Sequence, residues 1–225
     1  MNNNHLRFKE KLGYGLGDTA SNFFFQTFNI FLLYYYTDVF GLSAAAVGTM
    51  FFVTKLWDAF NDPLMGVIAD RTQTRFGKFR PYLLWMAVPY GILGFLMFAN
   101  PDLDESGKLV YAWVTYTLMM MIYTAINVPY SALMGVMTPS SRERTVLSSY
   151  RFVCAFGGGL LISMLVRPLI QYFGEGNEAQ GFSTTMALFA VVSIALFWYT
   201  FSTTRERVKT PKDHNSSLKR DLRFL

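Results

Sequence analysis

Lys55-Leu-Trp-Asp-Ala-Phe-Asn-Asp-Pro-Leu-Met-Gly66 decides how this chain is read. The stretch lies inside an apolar run over residues 44–69, long enough to cross a bilayer at about 1.5 Å of helical rise per residue. Asp58 and Asp62 are four residues apart, so a helix projects both carboxylates from one face, and Lys55 shares that stripe. An ionised side chain near a bilayer midplane costs on the order of 3 kcal/mol, and two acids on one stripe also repel each other. Leucine would serve better in a helix that only had to span. A structural ion pair would use Lys55 and one acid and leave the second unexplained. A cation site uses both.

Working outward, 52% of the 225 residues are hydrophobic and 16% are charged, where a soluble domain carries about 25% charge. The formal net charge of +5 could suit nucleic acid, but the placement of the bases argues against such a partner. Sixteen of the 20 Lys and Arg fall within residues 7–11, 71–80, 142–144 and 205–223. The alternate connections hold Lys108 and the acids Asp102, Asp104, Glu105, Glu175 and Glu178. This is the positive-inside pattern of a chain embedded in a lipid bilayer, and it predicts that both termini are cytoplasmic. Cys154 stands alone, so no disulfide can form within the chain, and His5 and His214 lie in polar ends without an evident ligand partner. The first apolar run is too long for a signal peptide and is kept as a spanning helix.

Six apolar segments, near 13–37, 44–70, 81–99, 109–137, 145–172 and 183–203, predict an all-α polytopic membrane fold. The six-helix transmembrane bundle is expected over residues 1–203, with a cytoplasmic tail or linker over 204–225. Gly41 is the expected left-handed residue of the first turn, Ser43 the cap of the second helix and Pro81 a first-turn residue of the third. Polar residues recur in the helices: Asp18, Asn22, Gln26 and Asn29 in the first; Tyr123, Thr124, Asn127 and Tyr130 in the fourth; Arg151 in the fifth. Hydrogen bonds between helices are the plain use of such groups. Polar groups from four helices at one depth instead suggest a shared wet cavity. Gly13, Gly15 and Gly17, with Gly157, Gly158 and Gly159, are expected at close helix approaches, because no Lys-Ser/Thr follows to make a phosphate loop. No nucleophile–base pair or metal-ligand cluster emerges, so no enzyme and no cofactor is expected.

Several motifs together resemble a known group. Gly66-Val-Ile-Ala-Asp-Arg71 with its basic turn resembles the loop between helices 2 and 3 of the major facilitator superfamily. Gly13-Tyr-Gly-Leu-Gly-Asp18, Tyr35-Tyr-Thr-Asp-Val-Phe-Gly-Leu-Ser43, the Trp-Asp-Ala-Phe-Asn-Asp-Pro core and Gly77-Lys-Phe-Arg-Pro81 narrow the likeness. They resemble the glycoside–pentoside–hexuronide:cation symporters, the family of the melibiose permease. The resemblance implies two six-helix halves, each built from two three-helix inverted repeats, with sugar and coupling cation (Na+ or H+) bound between the halves. This chain would be the N-terminal half, in a bacterial inner membrane, lacking its C-terminal half or needing a second chain.

By the same resemblance the cation site is Asp58, Asn61, Asp62 and Thr124. The family's two sugar-binding acids match Asn22 and Asn127, its neighbouring Lys matches Ser21, its helix 4 Trp matches Ser131, and its helix 5 Arg is retained as Arg151. Amides still donate to and accept from hydroxyls. Asp18, one turn from Asn22, is the expected source of the acid that Asn22 lacks, and Tyr123 and Tyr130 are candidates to stack on a sugar ring. Asp70, Arg71, Arg75, Lys78 and Arg80 are expected to steady a cytoplasmic gate. A sodium-coupled lysolipid transporter and a non-transporting membrane subunit are the competing readings.

Overall fold

The computed structural model describes residues 5–208; most of the expected tail, with His214, lies outside them. Among the described residues the regular structure is helical, and the one extended pairing is an isolated bridge between Thr74 and Gly77. Helix α1 spans Phe8–Thr27 and continues through two π-helical turns, Phe28–Leu32 and Tyr35–Val39. It is followed by α2 (Ala44–Arg71), α3 (Arg80–Trp85), α4 (Ala87–Leu96), α5 (Glu105–Met137), α6 (Ser141–Gly174) and α7 (Glu178–Thr203).

Local chemistry sets these limits. Asp104, Ser140 and Asn177 each accept a hydrogen bond from an amide of the following first turn, so α5, α6 and α7 begin before their apolar runs. Gly41 has φ +84°, and Ser43 Oγ accepts from the Ala46 amide at 3.3 Å. The third apolar run divides into α3 and α4 at Met86. Pro89 has no N–H for the Trp85 carbonyl, and its ring crowds that oxygen.

By length and composition α5, α6 and α7 could each cross a membrane. In α2, the residues Lys55, Asp58 and Asp62 interrupt the apolar character at mid-helix. Helix α1 packs against α6 and α7 and touches α5; α4 packs against α7 and α5; α2 packs against α5. The core is aromatic, with Tyr14, Phe24, Tyr35, Tyr36, Tyr90 and Tyr130 fully buried. A Cβ on Gly17 would come within 2.6 Å of the Tyr130 ring, which is why α1 and α5 can cross there. Gly13, Gly15 and Gly158 also lie at close approaches, Gly159 is in ordinary contact with Gln26, and Gly157 faces open space, so the expectation for Gly157 is corrected.

The basic connections converge at one end of the bundle. Lys11, from the start of α1, and Glu143, from the start of α6, form an ion pair at 3.0 Å. His5 Nδ1 also lies 3.0 Å from Glu143, so this histidine does have a partner, although not a metal. Arg207 pairs with Glu10, and its backbone amide donates to the Val136 carbonyl at the end of α5 at 2.8 Å.

Candidate cation and substrate site

On α2 the two acids are only partly satisfied. Thr124 of α5 donates its hydroxyl to Asp62 Oδ1 at 2.8 Å. Lys55 Nζ stands 3.7 Å from Asp58 Oδ2, with its side chain 70% exposed, a geometry worth little as an ion pair. Asp58 Oδ1 and Asn61 Nδ2 are buried and have no hydrogen-bond partner. Unmatched buried polar atoms are costly and rare in a folded protein. Here the unmatched Asp58 oxygen lies beside a second carboxylate and a hydroxyl, oxygens that suit a hard monovalent cation. Asn61, whose unmatched nitrogen is a donor, could join such a site only through its Oδ1. Among the described residues no group of three or more His, Cys, Asp or Glu side chains converges as a resident metal site.

One turn further along α5 the partners change. Asn127 Oδ1 accepts from Ser21 Oγ of α1 at 3.0 Å, and its Nδ2 donates to the Tyr123 carbonyl at 3.0 Å. Asn22 Nδ2 donates to the Asp18 carbonyl at 3.0 Å and to the Ala155 carbonyl of α6 at 3.2 Å. The Tyr123 ring is partly exposed and stacks on Phe25, with centroids 5.4 Å apart.

Asp18 is committed elsewhere. Arg151 of α6 forks onto it, Nε to Oδ2 at 2.7 Å and Nη2 to Oδ1 at 3.0 Å. The Tyr130 hydroxyl lies 2.9 Å from the same Oδ2. Tyr130 itself is fully buried, with its ring 4.8 Å from that of Tyr14 and the Arg151 guanidinium 4.7 Å from its centroid. It cannot also stack on a ligand, and that expectation is corrected. The structure thus joins Asp62 to Thr124, Asn127 to Ser21, and Asp18 to Arg151. Asp58 and Asn61 remain the open members.

At the basic end, Lys78 pairs with Asp70 at 2.8 Å, Arg75 lies over the Phe76 ring at 4.6 Å, and Arg71 ends α2. Arg80 donates to the carbonyls of Phe76 at 3.1 Å and Phe201 at 2.7 Å. The organiser is a residue that sequence reasoning missed. The carboxylate of Glu206, just past α7, accepts the amides of Lys78, Phe79 and Arg80 at 2.8–3.0 Å. Phe79, the residue before α3, offers no side-chain cap, so the orphan amides of that helix were the available signal. Gly77, with φ +113°, leaves the space that the Glu206 carboxylate needs.

A family model described as MFS/sugar transport protein matches residues 13–223. The chain belongs to that family. It is a family of transporters, as the symporter motifs implied, and not of enzymes. The chain is 46% identical over 220 residues to the putative glycoside/cation symporter YagG of Escherichia coli (strain K12), covering 98% of this chain and 48% of that protein. It is 44% identical to the inner membrane symporter YicJ of the same strain, over 100% of this chain and 49% of the relative. It is 37% identical to the isoprimeverose transporter of Lactiplantibacillus pentosus, over 100% of this chain and 48% of the relative. The chain spans about half the length of the curated relatives it matches.

Proposed function

We propose that this chain is the N-terminal half of a cation-coupled sugar symporter that carries a glycoside, pentoside or hexuronide by alternating access. A second six-helix half completes the site in a bacterial inner membrane, with both ends of this half cytoplasmic. The observation that carries the reading is on α5. Thr124 holds an α2 acid and Asn127 holds α1, only three residues apart, which is about 4.5 Å of helical rise. A cation settling on Asp58, Asn61, Asp62 and Thr124 fixes the helix turn that presents Tyr123 and Asn127 to a sugar. Coupling of this kind is reciprocal: sugar must tighten cation binding by the same factor.

Asn22, Tyr123 and Asn127 supply donors and acceptors to sugar hydroxyls, and Arg151, held by Asp18, flanks them. The basic turn with Glu206 keeps the cytoplasmic end of this half rigid while the halves rock. Exposed apolar side chains along α2 (Phe52, Leu56, Phe60) and α6 (Phe156, Leu160, Met164) suit contact with lipid or the second half.

The test is uptake of a labelled pentoside or glycoside by the full-length symporter reconstituted in vesicles, driven by an imposed Na+ or H+ gradient. Uptake should rise with one of the two gradients and collapse when that gradient is dissipated. Equal uptake with and without either gradient would overturn symport.

A further inference from the structure

Side chains on a helix lean back toward its start, and Asp58 does so on α2. Its Oδ2 stands 3.7 Å from Lys55 in the preceding turn, and its Oδ1 is buried without a partner. Lys55 is the exposed residue of that turn. Thr54 is the buried one, with only 3% of its surface exposed. Four residues before Asp58, it shares a face with that acid. With Val47, Met50, Asn61 and Met65 it belongs to the buried stripe of α2, the helix that packs on α5.

The Thr54 hydroxyl bonds to no group among the described residues. The other threonines of this stretch give theirs to the carbonyl one turn back: Thr49 to Ala45 at 2.8 Å and Thr72, at the end of α2, to Ile68 at 3.0 Å. A valine would fill the same space as Thr54 without leaving a buried hydroxyl unmatched. From α5, Tyr116 packs its ring on Phe51 with centroids 5.1 Å apart and seats that helix against the same turn. Two groups that lack a partner, the Thr54 hydroxyl and Asp58 Oδ1, are thus neighbours on one helix face.

We propose, in an inference that rests on the sugar-symport reading, that Thr54 is a further ligand of the coupling ion and that this ion is Na+. A hard metal ion gives up its water only when several protein oxygens replace it, whereas a proton needs one. Asp58, Asp62, Thr124 and the Oδ1 of Asn61 offer oxygens from Asp58 onward along α2 and from α5. Thr54 adds one from the preceding turn. Being uncharged, it adds coordination without adding to the repulsion between the two carboxylates. The same hydroxyl is of no use to a proton carried on Asp58, so its loss weakens Na+ alone.

The experiment follows uptake of a labelled pentoside or glycoside by the full-length symporter in vesicles as Na+ is raised at constant pH and ionic strength. Wild-type uptake should rise with Na+ and saturate. T54V should need about fivefold more Na+, or a larger excess, for half-maximal uptake. T54S keeps the hydroxyl and should match wild type to within about twofold. A smaller shift in T54V overturns the proposal, as does T54S behaving like T54V, or wild-type uptake that follows a proton gradient and ignores Na+. If T54V does not accumulate in the membrane, T54A replaces it with the same expectations. Absence of uptake under either gradient would instead overturn the sugar-symport reading. Thr54 is then decided on the purified protein, where Na+ should raise the melting temperature and T54V should lose most of that rise. No rise in wild type, or an undiminished one in T54V, overturns the ligand assignment.

Discussion

Asp18 on α1 and Asp58 on α2 are both single carboxylates in apolar surroundings, yet the helices around them treat them differently. Both oxygens of Asp18 are matched by Arg151, and one is shared with Tyr130. Asp58 has one oxygen 3.7 Å from an exposed lysine and the other buried with no partner. A satisfied charge in an apolar bundle fixes helices and sets the local field; an unsatisfied one leaves free energy to be released when a ligand arrives. The difference separates a carboxylate that its neighbouring helices match at both oxygens from one that they leave half matched.

The comparison is most easily broken at Asp58. Asp58→Asn in the full-length symporter should abolish cation stimulation of uptake, a loss of about 100-fold at the upper range of coupling energies. If gradient-driven uptake kept its full Na+ or H+ dependence, the cation site would have to lie elsewhere. Next in size is Gly17→Ala, which drives a methyl group into the Tyr130 ring and should destabilise the detergent-solubilised protein by about 1–3 kcal/mol. Its melting temperature should fall while the cation concentration for half-maximal uptake stays within about threefold of wild type, because the strain falls on the Asp18 side. An equal fall in cation affinity would show that the two regions are one unit.

Thr124→Ala removes a single hydrogen bond to Asp62, worth about 1 kcal/mol, and should raise the half-saturating cation concentration roughly fivefold. Thr124→Ser should restore it, and failure to do so would point to packing of the methyl group instead of the hydroxyl. The smallest effect is expected at Lys55. Lys55→Ala should change cation affinity by less than about threefold, as for other exposed ion pairs. Collapse of the protein in that variant would restore the structural ion-pair reading of α2.

The stripe of acids on α2 was legible because helical spacing is a local property. Asp58 and Asp62 share a stripe in the sequence as in the fold, and the acids in an apolar run announce their own cost. The fate of Asp18 was not legible. Its spacing from Asn22 suggested a sugar ligand, but its partners come from α5 and α6, more than 110 residues away, and no local period encodes such a meeting. Tyr130 misled for a related reason. It shares a stripe with Tyr123 and Asn127, but Gly17 lets α1 come close enough to bury it. The break at Met86 could have been read from Pro89, whereas Glu206 was hidden because its work is done on amides 126–128 residues upstream.

The Glu206 and Arg207 contacts also have a mechanical meaning. Glu206 grips the amides that open α3, while Arg207 binds Glu10 of α1 and the Val136 carbonyl of α5. Tension applied to the chain beyond these two residues would be shared among three helices at once, instead of unwinding α7 from its last turn. A pull at that point moves the whole bundle, much as a rope tied to three stakes drags the ground rather than a single peg.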